Sequence, residues 1–336
     1  MTRLRPTRLL SLGSMLADIS VHVPHLPPRG GDVIGSAAAM CAAGGFNILA
    51  AASRNGLPCV FAGRHGTGPY GTRIRVQLAR EGIATLEPPA PEGDSGFCLV
   101  MVEPDGERSF VTSPGVEARL GGRKLERLVI APTDAVFVSG YDLCYPELGP
   151  EIAALAQARD IILILDPGPL LAEIPQAILD TVLRRARILT LNLREAALLV
   201  GAGDVESAGE AIMPRLRDDA LLILRDGARG CFLFGAALPR RPVHVPAPEV
   251  RVVDSTGAGD THTGAFVAAL ASGLDPIAAA RRANAAAAIS VTRKGSATSP
   301  GKEELDAFLR SSPSREARPA GETKEPATSN DREGKP

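Results

Sequence analysis

Short apolar runs alternate with segments of helical periodicity over most of the chain. The runs predicted to be strands are residues 9–12, 60–62, 135–139, 161–165, 188–191, 221–224 and 231–234. The segments predicted to be helices are residues 48–54, 74–80, 151–158, 177–185 and 207–216, with another helix beginning at Pro276. Strands that alternate with helices along a chain form parallel sheets covered by those helices. The pattern therefore predicts an α/β fold with a mostly parallel sheet.

One stretch departs from this alternation. Residues 95–112 contain two β-like runs joined by residues 103–106 (E-P-D-G), where proline presets φ and glycine tolerates a positive φ. A hairpin inserted in an α/β chain does not easily join the parallel sheet. We therefore predict a small β lid or pairing surface, formed by about residues 14–36 and 95–113. A surface hairpin without function is the alternative.

The C-terminal end differs in composition from the rest of the chain. Residues 311–336 contain almost no apolar side chains, so they cannot bury enough surface to offset the entropy lost on ordering. We expect a single α/β domain over residues 1–310 and a disordered tail over residues 311–336.

Composition and charge limit the partners and the cellular location that we expect for the protein. The 336 residues carry a formal net charge of −1, which gives no reason to expect nucleic acid or an acidic membrane as a partner. The five cysteines include no C-x-x-C pair, and we expect them in the core of a protein from a reducing compartment. The five histidines lack metal-ligand spacing and are expected at the surface or in loops. There is no signal-peptide pattern and no apolar stretch of ~20 residues, so we expect a cytoplasmic protein.

Candidate chemistry is concentrated in residues 254–260, which read D-S-T-G-A-G-D. Gly257, Ala258 and Gly259 leave backbone N–H groups bare at a predicted helix start, where the helix dipole attracts anionic oxygens. Asp260, beside this cradle, can accept a proton from an attacking alcohol. The alternative is an ordinary glycine-rich turn that caps a helix.

Four further stretches accompany this one, namely residues 102–108 (V-E-P-D-G-E-R), 191–195 (L-N-L-R-E), 224–230 (L-R-D-G-A-R-G) and 288–295 (A-I-S-V-T-R-K-G). Together the five resemble the ordered motifs of ribokinase-like (pfkB-type) carbohydrate kinases, and residues 102–108 resemble the lid hairpin of some uncharacterised sugar-kinase members. The resemblance covers about residues 8–310. It implies a three-layer α/β/α core with a small β lid, and transfer of the γ-phosphate of ATP to a hydroxyl of a small sugar or sugar-like acceptor. The implied cofactors are ATP and Mg²⁺, with K⁺ as an optional third, and the lid implies a homodimer.

The resemblance also assigns an acceptor site. It places Asp18, Gly45 and Asn47 beside Asp260, since carboxylates and amides pair with hydroxyl groups and glycine lets a ligand approach the backbone. For Asp18, a solvated loop residue is the alternative. Two departures from the family pattern stand out: Leu16 replaces the asparagine of ribokinases proper, which puts ribose in doubt, and alanines replace glycines at positions 42 and 43.

The remaining assignments concern ATP and cations. The ATP-binding positions implied by the resemblance are Asn192, Glu195, Arg225, Gly227, Gly230, Gly259 and Asn284. Among the histidines, His262 is the candidate to lie near the phosphates. Glu195 would hold the water shell of Mg²⁺, and a helix-capping box with Asn192 is compatible with that role. A plain hairpin turn is the alternative for residues 225–230. The positions matching a K⁺ site, several through backbone carbonyls, are Asp254, Thr256, Ser290, Arg293, Gly295 and Ser299.

Other functions compete with this one. Residues 66–71 (G-T-G-P-Y-G) match the dinucleotide fingerprint formally, but Pro69 removes an amide and no acidic strand end follows about 20 residues later. An oxidoreductase would depend on that match alone. The chain has no G-x-x-x-x-G-K-[ST], which excludes a P-loop enzyme. The open alternatives are a nucleoside kinase and a sugar- or nucleotide-binding regulator without turnover. The few aromatic residues able to hold a base include Phe46, Phe97, Phe110 and Tyr141.

Overall fold

The computed structural model describes residues 4–239, 241–311 and 318–319. The strands are β1 (Arg8–Ser11), β2 (Met15–His22), β3 (Ala37–Gly44), β4 (Cys59–Phe61), β5 (Ala84–Thr85), β6 (Phe97–Val102), β7 (Arg108–Ser113), β8 (Asp134–Ser139), β9 (Ile162–Asp166), β10 (Ile188–Asn192), β11 (Leu221–Arg225), β12 (Cys231–Gly235), β13 (Val243–Val245) and β14 (Arg318–Pro319). The α-helices are α1 (Gly45–Arg54), α2 (Pro69–Arg80), α3 (Gly140–Cys144), α4 (Leu148–Ala158), α5 (Gln176–Leu183), α6 (Leu193–Val200), α7 (Val205–Ile212), α8 (Ala258–Ala271), α9 (Pro276–Ser290) and α10 (Lys302–Ser311).

The central sheet holds ten strands of the described part of the chain, in the order β14-β13-β12-β11-β10-β9-β8-β1-β4-β5. Every neighbouring pair from β11 to β5 is parallel. Strands β12, β13 and β14 extend one edge in antiparallel fashion. The predicted α/β fold with a mostly parallel sheet is thus confirmed.

Helices cover both faces of this sheet because its strands are apolar on both sides. Leu9 of β1 packs in one buried cluster with Phe46 of α1 and Phe266 of α8. Its neighbour Leu10 points to the opposite face, into a second cluster with Ile152 of α4. Two cores separated by one sheet make the three-layer α/β/α arrangement. No α-helix in the described ranges is long and apolar enough to cross a membrane.

A second, four-stranded sheet in the order β3-β2-β6-β7 forms the lid. The predicted hairpin is present as β6 and β7, and the buried carboxylate of Glu117 accepts the backbone N–H groups of Gly96 and Gly115 at its base. Strand β3 was not predicted, because its sequence A-A-A-M-C-A-A-G is rich in alanine, which has low strand propensity. The predicted lid boundary at residue 36 is therefore wrong, since β3 pairs with all of β2.

The end of the chain differs in two places from the disorder predicted for residues 311–336. Ser311 is the last residue of α10, and Arg318–Pro319 pair with Val243 and His244 of β13. The prediction is wrong at these positions. Residues 312–317 and 320–336 lie outside the described residues.

Candidate active site

The candidate site lies where the parallel strands end. Asp166, Asn192 and Arg225 are the last residues of the adjacent strands β9, β10 and β11. Ligands of open α/β sheets bind at this carboxyl edge. Helix α8 begins beside it, so the 254–260 motif faces the same edge.

The N-terminus of α8 has the geometry of an anion cradle. Gly257 is its cap in the left-handed conformation (φ +72°), and a Cβ there would lie 2.2 Å from the carbonyl oxygen of Ser296. A Cβ on Gly259 would lie 2.1 Å from Nη1 of Arg225. Position 257 therefore requires glycine, whereas a side chain at position 259 would have to move the end of Arg225. Bare amides at the start of a 14-residue helix favour bound anionic oxygens.

Asp260 occupies the first turn of α8 next to this cradle. The amide of Asn47, in the first turn of α1, donates from Nδ2 to its Oδ2 at 2.8 Å. Burial raises the pKa of Asp260 to about 6, helped by the nearby Asp166 charge and opposed by the Asn47 hydrogen bond and the Arg225 charge. The side chain is therefore ionised near neutral pH, yet more basic than an exposed aspartate.

Asp18 reaches the same place from β2 of the lid. Burial and the Asp260 charge together raise its pKa to about 7. The structure thus brings together Asp18, Asn47 and Asp260, the three polar acceptor residues predicted from the sequence. Gly45, the first residue of α1, packs closely, since a Cβ there would lie 2.6 Å from Oγ of Ser11.

Arg225 joins the strand ends into one charged network. Its Nη2 donates to Asp166 at 3.0 Å and lies 3.5 Å from Oε2 of Glu195. Burial raises the pKa of Asp166, and burial together with the Asp166 charge raises that of Glu195, while Arg225 opposes both shifts. Sequence reasoning missed Asp166, although its position at the end of an apolar strand, like that of Asn192, was a usable signal.

A cavity of about 420 Å³ opens beside the cradle. It is lined by six of the residues predicted to bind ATP, namely Asn192, Arg225, Gly227, Gly230, Gly259 and Asn284. Glu195 is not among the lining residues. His262 also lines the cavity, which agrees with the expected position near the phosphates, but it is buried rather than at the surface or in a loop. Burial and the Arg225 charge lower the pKa of His262 to about 3, which keeps the imidazole neutral.

Glu195 is held in the predicted capping box. The backbone N–H of Asn192 donates to its Oε2 at 2.8 Å, and Asn192 Oδ1 accepts the N–H of Glu195 at 2.8 Å. No cluster of three or more His, Cys, Asp or Glu side chains suited to a metal occurs in the described ranges. Nucleotide-bound Mg²⁺ takes most of its oxygens from phosphates and water, so a single carboxylate at this strand edge fits it.

Three of the positions matched to a K⁺ site, Asp254, Ser290 and Ser299, fit a cation less well, because their oxygens already accept protein donors. Oδ1 of Asp254 accepts the backbone N–H and the hydroxyl of Thr256 and the guanidinium of Arg108. Its Oδ2 accepts the N–H of Gly295 at 3.0 Å. The carbonyl of Ser290 accepts both the Arg293 N–H and the Thr298 hydroxyl at 3.1 Å. The carbonyl of Ser299 accepts a hydrogen bond from Nη1 of Arg54 at 2.9 Å.

The loop at residues 66–71 has no vacant anion position at its helix start. The carboxylate of Asp94 accepts the backbone N–H groups of Tyr70 and Gly71 at 2.9 and 2.8 Å, at the N-terminus of α2. This internal carboxylate takes the place that a pyrophosphate would occupy in a dinucleotide fold. The rejection of that match is consistent with the geometry.

Comparisons with known proteins agree with this geometry. The model of the pfkB family of carbohydrate kinases matches residues 6–303. The uncharacterized sugar kinase YegV of Escherichia coli is 32% identical over 302 residues, covering 88% of this chain and 92% of that protein. The ribokinase of Haemophilus influenzae is 30% identical over 311 residues, covering 90% and 98%. The structure of Arabidopsis thaliana ribokinase complexed with ribose and ATP superposes with a TM-score of 0.75 at 24% identity, over 91% of this chain and 99% of that one. The resemblance to ribokinase-like carbohydrate kinases and the predicted fold are both confirmed.

Proposed function

The chain belongs to the pfkB family of carbohydrate kinases, and we propose that it transfers the γ-phosphate of ATP to a hydroxyl of a small sugar or sugar-like acceptor. The observation that carries the proposal is the position of Asp260. It lies in the first turn of α8, beside the bare amides of the cradle and within hydrogen-bond distance of Asn47. Its pKa of about 6 suits a base at neutral pH.

In the proposed reaction Asp260 accepts the proton of the acceptor hydroxyl. The acceptor oxygen forms a bond to the γ-phosphorus, the bond from that phosphorus to the β–γ bridging oxygen breaks, and the electron pair leaves with ADP. The amides of residues 257–259 donate to oxygens of the transferring group. Phosphoryl transfer depends mainly on positioning and electrostatic stabilisation, so this small set of groups suffices.

ATP is assigned to the cavity beside the cradle. Gly227 and Gly230 let it lie against the backbone, Asn192 offers an amide, and Arg225 offers a positive charge near the phosphates. Asn284 also lines the cavity, but its Nδ2 donates to the carbonyl of Val245 at 2.8 Å. Mg²⁺, when bound with the nucleotide, would neutralise charge on the phosphate oxygens. Glu195 is the residue we assign to its water shell.

The acceptor is assigned to the space between the lid and α1. Asp18 and Asn47 would pair with its hydroxyl groups, and the lid would exclude water from the reaction. Phe46 is unsuited to holding a nucleoside base, because it is 1% exposed and packed in the core. Tyr141 is 36% exposed, and burial together with nearby charges that include Asp18 and Asp260 raises its pKa, so it is the aromatic residue placed to hold a base if the acceptor is a nucleoside.

We also assign a homodimer interface to the lid. Phe110 and Val111 of β7 are 60% and 56% exposed, and β7 is an edge strand of the lid sheet in the described part of the chain. Exposed apolar side chains on an unpaired edge are suited to pairing with a second copy.

The test is an ATP-to-ADP assay with Mg²⁺ over a panel of sugars, sugar acids, polyols and nucleosides, with Asp260→Asn as the control. Turnover that depends on one acceptor class and is lost in the variant supports the proposal. Selective turnover of nucleosides would replace the sugar assignment. ATP binding without turnover on any panel member would favour a binding protein instead.

A further inference from the structure

An ion pair joins the lid to the loop that precedes the cradle. The guanidinium of Arg108, the first residue of β7, pairs with Oδ1 of Asp254, 146 positions further along the chain. The two side chains are only 20% and 17% exposed, so the pair is largely shielded from solvent. Partly buried ion pairs of this kind are screened less by salt than exposed ones.

Asp254 is the residue that organises this loop. Besides Arg108, it accepts the backbone N–H and hydroxyl of Thr256 at 2.8 and 2.7 Å, immediately before the cradle, and the N–H of Gly295 at 3.0 Å. Burial favours the neutral acid, but the hydrogen bonds from Thr256 and Gly295 and the Arg108 charge hold the pKa of Asp254 below its usual value. Because this one carboxylate accepts four hydrogen bonds, it fixes the loop before the cradle relative to β7 and to the segment at Gly295.

The family to which the chain belongs implies a monovalent cation next to this loop, but the residues leave little room for one. Three donors already converge on Oδ1 of Asp254, and the carbonyls of Ser290 and Ser299 are also engaged. A cation bound to Oδ1 of Asp254 would have to displace a guanidinium that is itself a fixed positive charge. Like charges at such short range repel strongly.

We propose that Arg108 takes the place of a monovalent cation beside the cradle, so that this protein needs no K⁺ and its lid and cradle are ordered by one contact. The positive charge that stabilises the loop is then the guanidinium of Arg108, which β7 of the lid carries. Opening of the lid would remove that charge from Asp254 and loosen the segment leading to Gly257. The proposal rests on the proposed function only in giving residues 257–259 the role of an anion cradle.

The first test is thermal unfolding in KCl, NaCl and choline chloride at one ionic strength, with no acceptor and no turnover needed. For the wild-type chain we expect the same Tm in all three salts. Arg108→Gln should unfold about 1–3 °C lower in choline chloride and should recover selectively in KCl, because the vacated carboxylate then binds the ion. Arg108→Lys, which keeps the charge, should remain insensitive to K⁺. Arg29→Gln, which removes an exposed arginine between β2 and β3, is the matched control and should follow the wild type.

A wild-type Tm that rises in KCl but not in NaCl or choline chloride would overturn the proposal, as would an Arg108→Gln chain with the wild-type Tm in every salt. The second readout is calorimetric binding of a non-hydrolysable ATP analogue with Mg²⁺. Affinity should be independent of K⁺ in the wild type and should depend on K⁺ in Arg108→Gln; the reverse pattern contradicts the proposal. Failure of the analogue to bind either chain would count against the proposed kinase, while the salt series would still decide the role of Arg108.

Discussion

Replacing Asn47 with leucine should make Asp260 harder to ionise. The two side chains are joined by one hydrogen bond of 2.8 Å, from Nδ2 of Asn47 to Oδ2 of Asp260. Asn47 is buried, and its own Oδ1 is buried without a hydrogen-bond partner. Leucine has nearly the same size but donates no proton, so the substitution removes the bond from the charged carboxylate and leaves the packing largely intact.

The size of the effect follows from the strength of that bond. A hydrogen bond to a charged group contributes about 1.5–3 kcal/mol, and each pKa unit corresponds to about 1.4 kcal/mol. The pKa of Asp260, about 6 with Asn47 present, should therefore rise by about one to two units in Asn47→Leu. The variant should be largely protonated at Asp260 at pH 7, where the wild type is largely ionised.

Two measurements report this shift. The first is a carboxyl-carbon NMR titration of the aspartates, with Asp260→Asn used to assign the signal. The second is urea unfolding at pH 5 and pH 8. The pKa of Asp260 is raised on folding, so the free energy of unfolding that it contributes is present below the unfolded pKa and lost as the pH rises through about 6. Asn47→Leu should lose more, so its destabilisation should be about 1.3–2.3 kcal/mol larger at pH 8 than at pH 5.

The matched control is Asn55→Leu. Asn55 caps the other end of α1, has a buried Oδ1 without a partner and donates to the carbonyl of Ala51 rather than to a carboxylate. Its cost should be equal at the two pH values. Equal costs for Asn47→Leu at pH 5 and pH 8, or an unchanged Asp260 titration, would show that the bond does not set the pKa of Asp260, and the electrostatic account of the site would have to be abandoned.

Three further substitutions test the site. Asp260→Asn should keep ATP binding, measured by calorimetry, but lose roughly 10²-fold or more in turnover, the range for a general base; near-wild-type turnover would remove it from that role. Gly257→Ala should lower kcat by about 10²-fold or more with a smaller change in Kd for ATP, because the side chain strains a positive φ and displaces the cradle. Gly203→Ala, with no atom near its Cβ position, is the control and should change neither. Arg225→Met leaves two buried carboxylates without their partner and should cost about 3–5 kcal/mol in urea unfolding; a cost below about 1 kcal/mol would mean that the network does not hold the strand ends together.

The parallel sheet could be predicted from the sequence because buried strands are continuous apolar runs. Each predicted strand lies within one residue of an observed one, as with residues 188–191 and β10 (Ile188–Asn192). The start of α9 could be predicted from its polar cap, and Asp275 accepts the N–H groups of Ile277 and Ala278 as expected. The short helix α3 was not predicted, although Ser139 caps it. By contrast, β3 has neither the branched side chains nor the alternation that mark a strand, and its pairing with β2 alone makes it one.

The part of the site that lies in one contiguous motif could be predicted from the sequence. Asp260 and the glycines beside it lie in one contiguous motif, whose chemistry depends on local spacing. Asp166 and the contact of Arg108 with Asp254 depend on which distant segments the fold brings together, 59 and 146 positions apart in the chain for the two ion pairs concerned. No local pattern encodes such pairs when only one sequence is read. The burial of His262 was missed because a lone histidine early in an apolar helix gives no signal of its exposure.

The environment of Asp260 explains how one aspartate could serve as a base at neutral pH. An exposed aspartate is a weak base, whereas a fully buried one without partners would be protonated and unable to accept a proton. Burial and the Asp166 charge raise the pKa of Asp260, and the Asn47 hydrogen bond and the Arg225 charge stop that rise at about 6. Arg225 also lines the cavity assigned to ATP, so a bound triphosphate would share its positive charge and leave less of it to hold down the pKa. The base should therefore become stronger when the nucleotide is in place, which ties proton acceptance to the presence of the phosphoryl donor.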